Sequence, residues 1–308
     1  MRFLRCFAPL ALAAGLLLAC ARPGYCWDKY GHELIAQIAY NHMTPAARAQ
    51  AGRLVQAMAS DEFVTALPDK FKPYNFVTAA AWMDDIKTVS RTFNEWHYID
   101  LPDDPNLTLA QAQEFADTHA PNAVDVIETF CLPTLKNKSA PLADRARALG
   151  FFLHLAGDIH QPLHAEGYER GGNAVKISPI PSADPQWPID NLHAFWDGAY
   201  RYGSPADPSQ PTITALDVPR IAAPGDDPVA ADAKAIEKDY APAPSAVKDL
   251  NPTDWALGSE HIATTFVIPD AGDSLSDAYI RKAHAVACRQ IALAGLRIAA
   301  VLNGIFKP

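Results

Sequence analysis

From Trp27 onward, apolar residues recur at i, i+3 and i+4 almost without interruption, and alternating runs are scarce. That period places apolar side chains along one face of an α-helix, so the chain reads as all-α. Helical segments are expected near residues 33–42, 46–59, 75–90, 108–131, 143–160, 190–201, 253–266 and 276–303. Pro45 and Pro141 fall near two of the helix starts, where a missing N–H costs least. The stretch 179–252 holds 13 of the 26 prolines and is expected to be mostly loop, with short helices at best. The apolar positions of the final helix, among them Ile291, Ile298 and Leu302, are expected to close the core.

Residues 1–26 read as a secretory signal: Arg2 and Arg5 precede an apolar run from Phe7 to Cys20, and small residues follow at Gly24 and Cys26. Leu17-Leu-Ala-Cys20 also loosely matches a lipoprotein processing site, which competes with cleavage before Trp27. The expectation is an exported protein, periplasmic or secreted, with one domain over 27–308. At 49% hydrophobic and 20% charged, the composition excludes a disordered tail and a polytopic membrane protein, and no stable membrane association is expected. Without residues 1–26, 23 basic side chains face 35 acidic ones, a net charge of -12. A chain so acidic offers no bulk attraction to phosphates and must import positive charge to handle nucleic acid. Cys131 and Cys288 remain after the signal; in an oxidising compartment they are expected to form one disulfide, with two buried thiols as the alternative.

His154-Leu-Ala-Gly-Asp158 and His193-Ala-Phe-Trp-Asp197 each set an imidazole and a carboxylate four residues apart, on one helix face and within reach of one ion. One such pair is commonplace; two, with further histidines between them, point to metal. Pro162 breaks the first helix, so His164 is free to reach a neighbouring ion. His160 lies about 200° around the helix from Asp158 and is expected to hydrogen-bond behind the ligands. Asp84 and Lys87 lie one turn apart, with Asp85 as the adjacent alternative, and His97 sits in Trp96-His-Tyr-Ile-Asp100.

Trp27-Asp-Lys-Tyr-Gly-His32, Trp82-Met-Asp84 with Lys87, Trp96-His-Tyr-Ile-Asp100, His154 through His164, Gly171-Gly-Asn173 and Asn191 through Asp197 follow one another as in a known family. In order and spacing they resemble the zinc-dependent nucleases and 3'-nucleotidases that include fungal single-strand nucleases and plant type I nucleases. The resemblance runs from Trp27 to the last helix. It implies a mainly helical single domain of the phospholipase C/nuclease type with long loops, and three zinc ions. One would be held by Asp84, His97, His154 and Asp158, and a second by His164, His193 and Asp197. The third would take His32, Asp158 as a bridge, and the free amine and carbonyl of Trp27, which requires signal cleavage after Cys26.

Three Zn2+ against three aspartates would leave a local positive excess on an acidic protein. The reaction implied is metal-assisted, in-line hydrolysis of phosphodiester bonds in single-stranded DNA and RNA that leaves 5'-phosphates, with 3'-nucleotidase activity, by a monomeric enzyme. The resemblance gives Asp84 a second role in orienting water and Lys87 the stabilisation of the transition state. Tyr98 would stack on a base, Asp100 would hydrogen-bond its edge, and Asn173 would contact substrate, although Gly171-Gly172 also reads as a plain turn with Asn173 hydrogen-bonded to backbone. A zinc-dependent phospholipase C is the nearest rival, but there the second His-x-x-x-acid pair usually ends in Glu and follows the first closely. A non-catalytic zinc-binding protein, the third reading, has no need for Lys87 or Tyr98.

Overall fold

The computed structural model describes residues 27–180, 189–202 and 227–307. The segment read as a signal lies outside them. Fourteen α-helices run in chain order among the described residues. They are α1 (Lys29–His42), α2 (Pro45–Met58), α3 (Glu62–Ala66), α4 (Trp82–Ile86), α5 (Leu109–Thr118), α6 (Ala123–Asp125) and α7 (Leu132–Lys136). After these come α8 (Leu142–Asp158), α9 (Pro162–Ala165), α10 (Leu192–Trp196), α11 (Pro228–Asp239), α12 (Pro244–Lys248), α13 (Pro252–Ile262) and α14 (Asp277–Ile305).

Local chemistry fixes where these helices begin. Asp28 caps α1 by accepting the Gly31 amide, Thr44 caps α2 ahead of Pro45, Thr108 and Gln111 form a reciprocal capping box on α5, and Ser276 caps α14. The expected 108–131 helix is broken at 119–122, where Pro121 interrupts it and Asn122 caps the next turn. The proline-rich region holds more order than its composition announced. Asp227 caps the 12-residue α11, and β1 (Lys176–Ile180) pairs antiparallel with β2 (Ile189–Asn191), a two-stranded addition to an otherwise helical fold.

α8 is the axis of the core: every residue from Ala148 to Asp158 is buried, so this helix is enclosed by α2, α4 and α14 and is not amphipathic. α1 lies along α14, and their closest approach requires Gly295. A Cβ there would fall 2.6 Å from Cγ2 of Ile38 and 2.8 Å from the Ile35 carbonyl. α14 is long and apolar enough to cross a bilayer, yet 67% of its apolar window is buried inside the protein, as a core-closing helix requires.

The expected disulfide does not form. Cys131 ends the π-type segment Val126–Cys131 beneath α7 and α8, whereas Cys288 lies mid-way along α14 with its Sγ 3.7 Å from Nε2 of His284. Both are buried free thiols, and burial pushes the Cys288 thiol up to about 12. The two cysteines behave as small core side chains on separate elements.

Candidate metal centre

The last turn of α8 carries His154 and Asp158, both fully buried. His154 Nδ1 lies 2.7 Å from the Ala80 carbonyl. A carbonyl only accepts, so Nδ1 holds the proton and the Nε2 lone pair is aimed inward. There it lies 3.2 Å from Asp158 Oδ2 and 2.9 Å from Nδ1 of His97, which ends the 3₁₀ turn Asn94–His97. His97 Nδ1 is in turn 3.1 Å from Asp158 Oδ2. Asp84, from α4, brings Oδ1 to 3.8 Å from His154 Nε2 and 4.0 Å from His97 Nδ1. The second oxygen of Asp158 faces the other way, 3.3 Å from Nε2 of His32 on α1. The His32 ring stacks on His154 at 4.0 Å, and the Trp27 indole N–H donates to the Gly157 carbonyl at 3.0 Å. Asp158 is thus shared between two groups, one oxygen to each.

A third group forms beyond the break at Pro162. Gln161 accepts the Leu163 amide at 2.6 Å to start α9, and its Nε2 donates to Asp197 Oδ1 at 2.9 Å. His164 Nδ1 donates to the His97 carbonyl at 2.8 Å, and His193 Nδ1 to the Gly171 carbonyl at 2.6 Å. The Nε2 atoms of both then face Asp197 Oδ1, at 3.8 and 3.6 Å. The Gly171 carbonyl is presented by an unusual turn: Glu169, Arg170, Gly171 and Gly172 all have left-handed φ, at 47°, 61°, 60° and 75°. A Cβ at Gly171 would fall 2.4 Å from the Leu163 carbonyl, so this position admits glycine alone.

In each of the groups His32/His154/Asp158, Asp84/His97/His154 and His164/His193/Asp197, the ligand atoms lie within 4.8 Å of one another. His32 Nδ1 and Nε2 and His164 Nε2 are buried without a hydrogen bond. Leaving a buried polar atom unbonded costs about 1–3 kcal/mol, so atoms held in this way fit the role of cation ligands better than a sealed core. The backbone carbonyls behind His154, His164 and His193 supply the outer hydrogen bonds that fix ring orientation in metal sites. The charges agree. Burial opposes ionisation of Asp158, but His154, His32 and His97 outweigh it and hold the carboxyl well below its usual range. Asp197 lacks that support: burial pushes it up to about 8, with His193 and Gln161 offsetting only part.

The family model described as S1/P1 nuclease matches residues 27–307. This chain belongs to the S1/P1 nuclease family. It is 28% identical to nuclease S1 of Aspergillus oryzae over 182 residues, covering 58% of this chain and 56% of that protein. It is 25% identical to nuclease P1 of Penicillium citrinum over 171 residues, covering 56% and 57%. Against endonuclease 2 of Arabidopsis thaliana it is 24% identical over 292 residues, covering 91% and 90%. The matches to the two fungal nucleases thus span little more than half the length of each, whereas the plant match runs nearly end to end. The three His/Asp groups are compatible with a three-metal site in this family.

Around the groups, Lys87 Nζ lies 2.7 Å from Asp84 Oδ1, with each side chain only 12% exposed, so this lysine is tied to the cluster and is not a solvated one on a helix face. Asp85 turns away and accepts from the Tyr74 hydroxyl at 2.7 Å, which leaves Asp84 as the carboxylate of α4 in the cluster. Tyr98 and Asp100 are exposed where the chain leaves His97, Asp100 with a left-handed φ of 51°. Asn173 donates to the Arg170 carbonyl at 2.9 Å and so closes the left-handed turn.

Two residues at the site escaped the sequence reading. Gln161 is signalled only by its place between Asp158 and Pro162. Arg170 emerges from the turn near Tyr98: burial, Asp100 and Glu95 push the Tyr98 phenol up, and Arg170 pulls it partly back. His160, expected to support the ligands, does not. Its Nδ1 donates to the Ala156 carbonyl at 2.6 Å and its Nε2 accepts from Arg297 at 2.9 Å, facing α14 on the opposite side of α8. Burial and then Arg297 lower its pKa to about 3, so it stays neutral.

Proposed function

We propose that this chain is a zinc-dependent nuclease, exported to the periplasm or medium, that cleaves single-stranded DNA and RNA to 5'-phosphate products and removes phosphate from 3'-nucleotides. The observation that carries this reading is Asp158 set between histidines, Oδ1 toward His32 and Oδ2 toward His97 and His154, with a third group one helical break away and Lys87 tied to their edge. The donor set is imidazole and carboxylate without thiolate, which suits Zn2+. Zinc, when bound, supplies Lewis acidity that polarises a phosphoryl oxygen and makes water acidic enough to react near neutral pH. The protein's own groups then have separable tasks. Asp84, paired with Lys87, accepts a hydrogen bond from the attacking water and orients it. Lys87 holds a full positive charge beside the phosphoryl oxygens, where negative charge grows. Tyr98 offers a ring for a base that has already left its stack, which favours single strands, and Asp100 accepts from the edge of that base.

Release of acid-soluble nucleotides from single-stranded DNA and RNA tests the reading; hydrolysis of phosphatidylcholine in its place would make the protein a phospholipase. Exhaustive chelation is expected to abolish activity and zinc to restore it, and turnover by a preparation shown to be metal-free would refute zinc dependence. Lys87→Ala is expected to lower kcat by about 100-fold, close to ~3 kcal/mol, with zinc content unchanged; steady-state kinetics beside elemental analysis checks this. Tyr98→Ala is expected to raise KM for 3'-nucleotides by about 5- to 150-fold through lost stacking of ~1–3 kcal/mol. An effect confined to kcat would remove Tyr98 from the base platform.

A further inference from the structure

Two residues beyond Asp197 the chain makes one 3₁₀ turn, Ala199–Arg201, and this turn grips the carboxylate of Asp28. The Tyr200 hydroxyl donates to Asp28 Oδ1, and the Arg201 Nε–H donates to Oδ2 at 2.7 Å. Oδ1 also accepts the Gly31 amide at 2.9 Å, so both oxygens are held. Rings pack around the pair. Tyr200 is buried and meets the Trp27 indole edge-on at 6.2 Å, Tyr30 stacks on Tyr200 at 6.5 Å, and the Arg201 guanidinium lies 5.1 Å from the centre of each tyrosine ring. The Tyr30 hydroxyl donates to Asp232 of α11 at 2.7 Å. A Cβ on Gly31 would fall 3.1 Å from Trp27 Cβ and 3.2 Å from Tyr200 Cε1, so a side chain there would push this packing apart.

The arrangement joins two of the histidine groups. Asp28 is held at its amide by the Asp197 carbonyl, 3.0 Å away, and at its carboxylate by the turn that Asp197 leads into. Asp197 belongs to the third group, whereas Trp27 on one side of Asp28 and the first turn of α1 on the other lead to His32. Fold stability alone gives this grip little purpose: the Asp28 side chain is 34% exposed, and ion pairs at such exposure stabilise little. Ligand placement gives it more. Chain ends are ordinarily loose, and the main chain of Trp27 serves well as a ligand only if it is held still. Groups that orient ligands from behind commonly change metal affinity by roughly 10- to 100-fold.

On the reading that Trp27 ligates the zinc at His32, we propose that Asp28, gripped by Tyr200 and Arg201, is a positioning residue. It aims the Trp27 main chain at the His32 group, so the turn after Asp197 sets the zinc affinity of that group.

The test uses the mature chain beginning at Trp27, loaded with zinc, and measures zinc content together with competition against a chromophoric chelator. The parent is expected to hold three zincs. Arg201→Met should weaken one of them by about 10- to 100-fold and leave two unchanged, with the Tm of the metal-free chain within about 3 °C of the parent. Arg201→Lys returns a charge within reach of Oδ2 without the flat contact on the tyrosine rings, and should recover most of the affinity. Asp28→Asn keeps the α1 cap but turns an NH2 toward the guanidinium. It should match Arg201→Met, the double variant should bind no more weakly than either alone, and it carries the test if Arg201→Met does not fold. Parental affinity for all three zincs in both single variants would overturn the proposal, as would a loss that Arg201→Lys does not recover and that falls in step with the metal-free Tm. A parent that holds only two zincs would overturn the reading of Trp27 as a ligand, and this proposal with it.

Discussion

Replacing Asp158 with asparagine is expected to lower kcat/KM on single-stranded DNA by about 1,000-fold or more and to reduce zinc from three per chain to one. Asp158 Oδ2 lies 3.1 Å from His97 and 3.2 Å from His154, and Oδ1 lies 3.3 Å from His32, all in a fully buried setting. An amide has the same shape but no charge, and its NH2 can only donate, so one of the two groups must face a donor. His154 loses the carboxylate oxygen 3.2 Å from its Nε2 as well. The third group stands apart: Gln161 fixes Asp197 and the Gly171 carbonyl fixes His193, so one zinc should stay. Elemental analysis beside kinetics on the purified variant checks both halves. Three zincs with parental kcat/KM would show that Asp158 bridges nothing.

The parts of the site that were legible in sequence are those whose geometry is local. His154 with Asp158 and His193 with Asp197 face the same way because four residues make about one helical turn, and the structure keeps both pairs together. Asp84, His97 and His32 come from three other elements, so spacing alone could not gather them; the order of motifs along the chain did. What hid from sequence depends on backbone direction. Gly171-Gly172 reads as a turn that Asn173 closes on the backbone, as it does, but nothing in the sequence says that the turn is left-handed from Glu169 onward or that its Gly171 carbonyl aims His193. The helical period around Asp158 put His160 on the far side of α8, but not the Arg297 that meets it there. Nor does the distance between Cys131 and Cys288 along the chain say which way two helices turn their thiols. α11 was masked by the prolines around it, although Pro228 at its first turn is where a helix best tolerates one.

A single residue added before Trp27 is expected to cost one zinc per chain and at least about 100-fold in activity while leaving the fold intact. Trp27 is fully buried, and its indole bonds to the Gly157 carbonyl, next to Asp158. Asp28 continues the clamp: its amide donates to the Asp197 carbonyl at 3.0 Å and its carboxylate caps α1, four residues before His32. His32 and Asp158 provide two ligands, short of the four that zinc usually takes, and a terminal amine with the Trp27 carbonyl would supply the rest. An added residue turns that amine into an amide, whose nitrogen must lose a proton before it can ligate. The indole anchor and the α1 cap do not depend on that proton, so Tm in the metal-free state should change little, whereas the bound zinc should fall from three to two. The groups built on Asp84, His97, His154, His164, His193 and Asp197 should keep their ions. When the chain is made with residues 1–26 and exported, mass spectrometry is expected to find Trp27 first. A mature chain that begins at lipidated Cys20 and still carries three zincs at full activity would overturn both the cleavage site and the role of the Trp27 amine.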